Sequence, residues 1–212
     1  MKLTKYEHAC FTLEKDGKIL VVDPGNFTTD LGAIDNVVAI VITHEHPDHF
    51  DPSALDAFIA RSPDAVIYAH EGITNQLSSD FLATPVTAGE VVEATPFTLE
   101  FLGGDHAIIH SSYPHIDNLG VMINNVIFYP GDSFTSPDKP VEVLALPVTA
   151  PWLKISEAMD FLAQIKPTLA FPTHDAIASD KGKALVDRIL GGVAREHGSK
   201  YQRLTEPVEI DG

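Results

Sequence analysis

The sequence predicts an α/β layered domain, on three observations. Short β-branched apolar runs recur along the whole chain, amphipathic helical stretches fall between them, and two-residue hairpin signals stand early and midway. At 212 residues one domain spanning 1–212 is expected, large enough to bury roughly 70% of its unfolded surface without staples. A hydrophobic fraction of 44% beside 21% charged residues excludes a disordered or fibrous chain.

Phe11–Glu14 and Lys18–Val22 flank Asp16-Gly17, a pair suited to the positive φ angles of a tight hairpin. Val37–Thr43 is almost continuously apolar and β-branched, as a strand buried on both faces should be. Ala65–Ala69 reads as another such strand, and Phe97–Leu102 alternates more loosely. Leu119–Asn124 and Val126–Tyr129 form a second hairpin turning at Asn124-Asn125. Val143–Leu146 and Thr168–Phe171 are expected to end at the prolines that follow them.

Asp51-Pro52 starts a helix whose Leu55, Phe58 and Ile59 share one face. Ser156 is the expected cap of a second, carrying Met159, Leu162 and Ile165 before Pro167. A third runs from Asp180 through Leu185, Val186, Ile189, Leu190 and Val193, weakened by Gly191-Gly192 and closed near Gly198.

The net charge is −16 and no run of Lys or Arg occurs, which argues against nucleic acid and anionic membrane as partners. No apolar stretch approaches membrane-spanning length, and the N-terminus lacks a signal-peptide core, so a cytoplasmic location is expected. Cys10 is the sole cysteine, leaving no internal disulfide and no cysteine-based zinc cluster.

The chemistry concentrates in Thr43-His44-Glu45-His46-Pro47-Asp48-His49, directly after the Val37–Thr43 strand. In extended chain His44 and His46 point the same way, and Pro47 then turns Asp48 and His49 toward a neighbouring position. Two adjacent metal positions are thereby allowed, with imidazole and carboxylate ligands that suit zinc, iron or manganese. Three further ligand-type residues stand just after expected strands: His106 behind Gly103-Gly104-Asp105, Asp132 behind Pro130-Gly131, and His174 behind Pro172-Thr173. His110 competes with His106 for the third of these stations.

These stations, from Asp23-Pro24-Gly25 through His174, resemble the metallo-β-lactamase-fold superfamily. The resemblance implies a four-layer αββα sandwich: two mixed β-sheets flanked by helices, with metals at one edge. It implies that His44, His46 and His106 hold one metal, that Asp48, His49 and His174 hold a second, and that Asp132 bridges both. Asp23 corresponds to an early Asp that orients ligands. The opening Glu7-His8-Ala9-Cys10-Phe11 resembles the Gly-His-Ala/Ser-x-Phe start of the branch of small hydrolases that includes ascorbate-phosphate lactonase-like proteins, with Glu7 in place of the Gly. His8 is then expected beside the metals or the substrate.

The implied activity is a metal-dependent hydrolase with two divalent ions, zinc foremost, or manganese or iron. A bridging hydroxide would attack a small ester, lactone or phosphoester, with Asp48 and Asp132 as its catalytic carboxylates. Position 46 is His rather than the Glu of the oxygen-reducing branch, which favours hydrolysis over an iron oxygenase or redox protein. A non-enzymatic metal-binding protein is the third alternative. Tyr113, His115, Trp152 and Lys154 are candidate pocket residues, Lys154 for an anionic group and Trp152 chiefly for packing. Oligomeric state is not set by the sequence.

Overall fold

The computed structural model describes residues 1–211. Among the described residues fourteen strands and four helices follow one another. The first sheet takes β1 (Lys2–Lys5), β2 (Phe11–Lys15), β3 (Lys18–Val22), β4 (Val37–Val41), β5 (Val66–Ala69) and β6 (Leu82–Pro85), and β14 (Val208–Glu209) pairs outside β1. The second takes β7 (Val91–Ala94), β8 (Phe97–Asp105), β9 (Asp117–Ile123), β10 (Ile127–Tyr129), β11 (Val143–Pro147), β12 (Leu169–Thr173) and β13 (Lys200–Tyr201). Helices α1 (Pro52–Arg61) and α2 (Glu71–Thr74) accompany the first sheet, and α3 (Ile155–Ile165) and α4 (Asp180–Glu196) the second. Both sheets are mixed: β3 to β6 run parallel, as do β10 to β13, and the remaining pairs are antiparallel.

The layers follow from the period-two alternation of the strands. In the first sheet Leu20, Val22, Ala39 and Val41 face the second sheet, meeting Phe97, Phe101, Val121, Tyr129 and Phe171 in one central core. The intervening Val21, Ile40, Ile42 and Ile67 turn outward and pack under Leu55 and Phe58 of α1. The second sheet sends Phe128, Leu144, Leu146 and Ala170 outward to Phe161, Leu162, Leu190 and Ala194 of α3 and α4. The αββα sandwich is therefore the observed architecture.

Both hairpins lie where the turn residues place them. Asp16 and Gly17 have φ of 53° and 71°, and Asn124 and Asn125 have 52° and 54°. Asp51 caps α1 by accepting from the Ser53 amide at 3.0 Å, with Pro52 in the first turn. Two local expectations are corrected. α3 begins at Ile155 with Lys154 as its N-cap residue, not at Ser156, because the Glu157 carboxylate reaches back to the Lys154 amide at 2.7 Å. β11 and β12 do not stop before their prolines: Pro147 pairs with Thr173, and Leu146 with Pro172. β6, β7, α2, β1, β13 and β14 were not anticipated. No helix among the described residues is long and apolar enough to cross a membrane.

Parallel strands all present their carboxyl ends at one edge of the sandwich. Asp23 follows β3, the His44–His49 segment follows β4, and His174 follows β12. His106 follows β8 and Asp132 follows β10, which brings both sheets to the same place.

Candidate metal centre

Two groups of potential ligands meet at this edge. His44, His46, His106 and Asp132 form one, and His8, Asp48, His49 and His174 the other, the ligand atoms of each lying within 4.8 Å of one another. Asp132 stands between them. Its Oδ2 is 3.0 Å from Nε2 of His174, 3.4 Å from that of His106 and 4.0 Å from that of His44. Its Oδ1 lies 3.4 Å from Nε2 of His49. Asp48 Oδ2 lies 3.4 Å from Nε2 of His174 and 3.8 Å from that of His49.

The outer nitrogen of each key imidazole is fastened, and this determines which nitrogen faces inward. Nδ1–H of His49 donates to Asp23 Oδ2 at 2.7 Å. Those of His106 and His174 donate to the carbonyls of Ala107 and Thr149, each at 2.6 Å. Nδ1 of His44 faces Oγ1 of Thr43 at 3.1 Å, and that hydroxyl gives its own proton to Asp23 at 2.7 Å. The proton of His44 therefore sits on Nδ1. With the outer nitrogens protonated, the Nε2 lone pairs converge on the space around Asp132. Nε2 of His44, His49 and His106, and Oδ1 of Asp132, are buried without a hydrogen-bond partner. Orphaned buried acceptors of this kind are costly unless something binds them, and a divalent cation fits the imidazole and carboxylate set.

His8 has the opposite tautomer. Its Nδ1 accepts from the Ala176 amide at 3.3 Å, so its Nε2–H donates to Asp48 Oδ2 at 2.9 Å. It thus orients a carboxylate, although its ring lies among the ligands. The backbone carbonyl of His8 in turn accepts from the Lys5 ammonium at 2.7 Å and the His174 amide at 3.1 Å.

Charge and burial oppose one another throughout the site. Burial would raise the Asp48 carboxyl, but hydrogen bonds from His174 and His8 outweigh it and hold it well below the usual range. Against burial, Asp132 is held low chiefly by the charges of His49 and His174. Burial opposes charge on His174, yet Asp132 and Asp48 push it up to about 10. Burial pulls His44 and His46 down and keeps them neutral.

The backbone is shaped for these positions. His8, Asp23 and His174 all adopt positive φ, at 53°, 45° and 58°, an uncommon conformation for residues with side chains. Gly25 packs so closely that a Cβ there would lie 1.9 Å from the Asp48 carbonyl oxygen. Gly131, at φ 64°, would bring a Cβ to 2.3 Å from Asn118 Oδ1, which accepts the Asp132 amide at 2.9 Å.

Asp23, His44, His46, Asp48, His49, His106, Asp132 and His174 thus lie together, with His8 against Asp48. Of the two rivals for the third station it is His106, buried, that reaches this cluster. His110 is exposed and its Nδ1 pairs with the Ser112 hydroxyl at 2.8 Å. Lys154 is exposed at the start of α3, and its ammonium makes no ion pair or hydrogen bond among the described residues. Tyr113 and His115 line a cavity beside His46 and His106. Trp152 does more than pack: its indole N–H donates to Asp132 Oδ2 at 2.8 Å, while its ring meets Phe134 edge-on. Sequence reasoning did not identify Thr43, Asn118 or the Trp152 donor. Only Thr43, adjoining the His-rich segment, carried a local signal.

The sequence and the fold both have known relatives. The chain is 34% identical to Protein Rv0786c of Mycobacterium tuberculosis over its whole length and 94% of that protein. It is 29% identical to a UPF0173 protein of Pyrococcus abyssi, over 82% of this chain and 83% of the relative. Its fold superposes on Igni18, a metallo hydrolase from Ignicoccus hospitalis, with a TM-score of 0.77 at 21% identity, covering 99% of both chains. Residues 2–174 match the beta-lactamase superfamily domain, and the chain is accordingly a member of that metallo-β-lactamase-fold family.

Proposed function

We propose that this protein is a metal-dependent hydrolase with two divalent ions, acting on a small ester, lactone or phosphoester. One observation carries the reading: outward-fastened imidazoles aim their Nε2 atoms at two adjoining positions, those of His44, His49 and His106 without a hydrogen-bond partner, with Asp132 between them. The metallo hydrolase Igni18 has the same fold. His44, His46 and His106 would hold one ion, Asp48, His49 and His174 the other, and Asp132 both. Two such ions, when bound, supply a shared hydroxide at neutral pH and Lewis acidity toward the scissile group.

The protein's own groups account for the rest. Asp23 and Thr43 fix the imidazoles of His49 and His44, and the carbonyls of Ala107 and Thr149 fix those of His106 and His174. His8 holds Asp48 as a carboxylate, so that Asp48 is available to bind a cation and to orient the attacking water. Trp152 fixes the rotation of Asp132.

Elemental analysis of protein prepared without chelator or added histidines tests the reading, with His46→Ala as the comparison. Two zinc or manganese ions per chain, reduced in the variant, together with turnover in an ester and phosphoester screen, are expected. One iron per chain with oxygen uptake would replace the hydrolase by an oxygenase, and absence of metal after incubation with zinc, manganese and iron would overturn both.

A further inference from the structure

Two open cavities border the metal centre, one against each ligand group, and both have apolar rims. One, of about 390 Å³, lies against Asp48 and His174 and is walled by Phe27, Pro47, Pro151 and Ile177. The other, of about 190 Å³, lies against His46 and His106 and is walled by Ile108, Ile109, Tyr113 and Pro114. Phe27, Ile108, Tyr113 and Ile177 are 40%, 72%, 63% and 49% exposed, and they make up four of the seven large apolar side chains so exposed among the described residues. Apolar side chains gathered around a cleft, rather than scattered, mark a surface that is covered when the site is used.

Neither cavity contains a Lys or Arg. A third cavity does, lined by Lys5, Lys183 and Arg203, and it reaches the centre only through His8; there the Lys5 ammonium is held by the carbonyls of Tyr6 and His8, and Arg203 by Asp175 and Asp187. An anionic arm on the substrate would therefore find no lysine or arginine in either cavity that opens on His46, His106, Asp48 and His174, in a chain of net charge −16. An apolar arm finds Phe27 and Ile177 on one side, or Ile108 and Tyr113 on the other.

Resting on the hydrolase reading above, we infer that the substrate is an uncharged carboxylic ester or lactone bearing an apolar arm, and not a phosphoester. Water adds its oxygen to the carbonyl carbon, the acyl C–O bond breaks, and the leaving oxygen takes a proton, giving an alcohol and a carboxylate with release of one proton.

Two measurements on the zinc-loaded protein test this. The first is calorimetric binding of acetohydroxamate and octanohydroxamate, which share a metal-seeking head and differ only in the apolar arm. The longer compound is expected to bind at least about tenfold more tightly, less than complete burial of the added methylenes would produce. That gain should shrink to under about threefold in Phe27→Ser combined with Ile177→Ser, or in Ile108→Ser combined with Tyr113→Ser. These side chains are exposed, and equal melting temperatures would show that each variant folds. A gain below about twofold in the unaltered protein would overturn the apolar arm, whatever is turned over. The second measurement compares kcat/KM for p-nitrophenyl acetate, butyrate and octanoate with that for bis(p-nitrophenyl) phosphate. A rise along the ester series, with the phosphodiester slowest, is expected. Faster phosphodiester cleavage would overturn the inference and leave the hydrolase standing. No cleavage of any substrate, despite a full complement of metal and the chain-length gain in binding, would instead overturn the hydrolase reading and the ester assignment with it.

Discussion

Asp23 and His49 are joined by a buried 2.7 Å hydrogen bond, and the same carboxylate also holds the amide and hydroxyl of Thr43 at 2.8 and 2.7 Å. One side chain at the end of β3 therefore orients His49 directly and His44 through the Thr43 hydroxyl, one residue in each ligand group. Asp23→Ala should weaken zinc binding about 10–100-fold, the usual cost of losing a carboxylate behind a ligating imidazole. Thr43→Val should affect mainly the group containing His44. Competition titration against a chelator measures both, and unchanged affinity in Asp23→Ala would contradict the role assigned to it.

Trp152→Phe keeps an aromatic ring against Phe134 while removing the N–H that Asp132 receives, together with part of the indole's packing. A hydrogen bond to a charged group is worth about 1.5–3 kcal/mol, so the metal-free protein should lose stability of that order in urea denaturation. A loss no larger than that of an ordinary surface substitution would mean that the indole serves only as packing.

The pH dependence of the chelated protein follows from His174. Its folded pKa of about 10 lies above its ordinary value of 6.5, so the stability it contributes is complete below pH 6.5 and is lost as the pH rises toward 10. Asp48 and Asp132 are shifted downward, so their contributions are complete above the ordinary value of 3.8 and vanish in acid. His44 and His46, pulled down by burial, cost stability as the pH falls below 6.5, so melting temperature should peak near pH 6.5 and decline on both sides. At neutral pH zinc uptake should release a proton from His174, visible as a buffer-dependent enthalpy in calorimetry.

Gly25→Ala should destabilise the fold by roughly 1–3 kcal/mol and lower metal affinity, because the added methyl collides with the Asp48 backbone rather than a yielding side chain. Denaturation and metal titration of the one variant test both parts. Wild-type behaviour in each would mean that the 24–28 loop shifts freely.

The parts legible in the sequence are those whose physics is local. Asp16-Gly17 and Asn124-Asn125 announce their turns because few other pairs accept two positive φ angles in succession. His44, His46, Asp48 and His49 are legible because four ligand-type side chains crowd six positions behind a buried strand. Thr43 apart, what escaped notice depends on partners remote in the chain. Asn118 supports Asp132 across 14 residues, and Trp152 does so across 20, with nothing in either neighbourhood to suggest it. β6 and β7 are short edge strands with mostly uncovered side chains, so they carry little apolar periodicity. Pro147 and Pro172 misled because a missing amide was read as a strand end, whereas both strands continue through them.

Because His44 and His46 come from the first sheet while His106 and Asp132 come from the second, any ion shared by those four is also a mechanical rivet through the rim of the sandwich. Stripping it should loosen the seam between the sheets as well as silence chemistry, so amide exchange ought to rise first at the carboxyl ends of β4 and β10 and last in the Phe101–Phe171 interior.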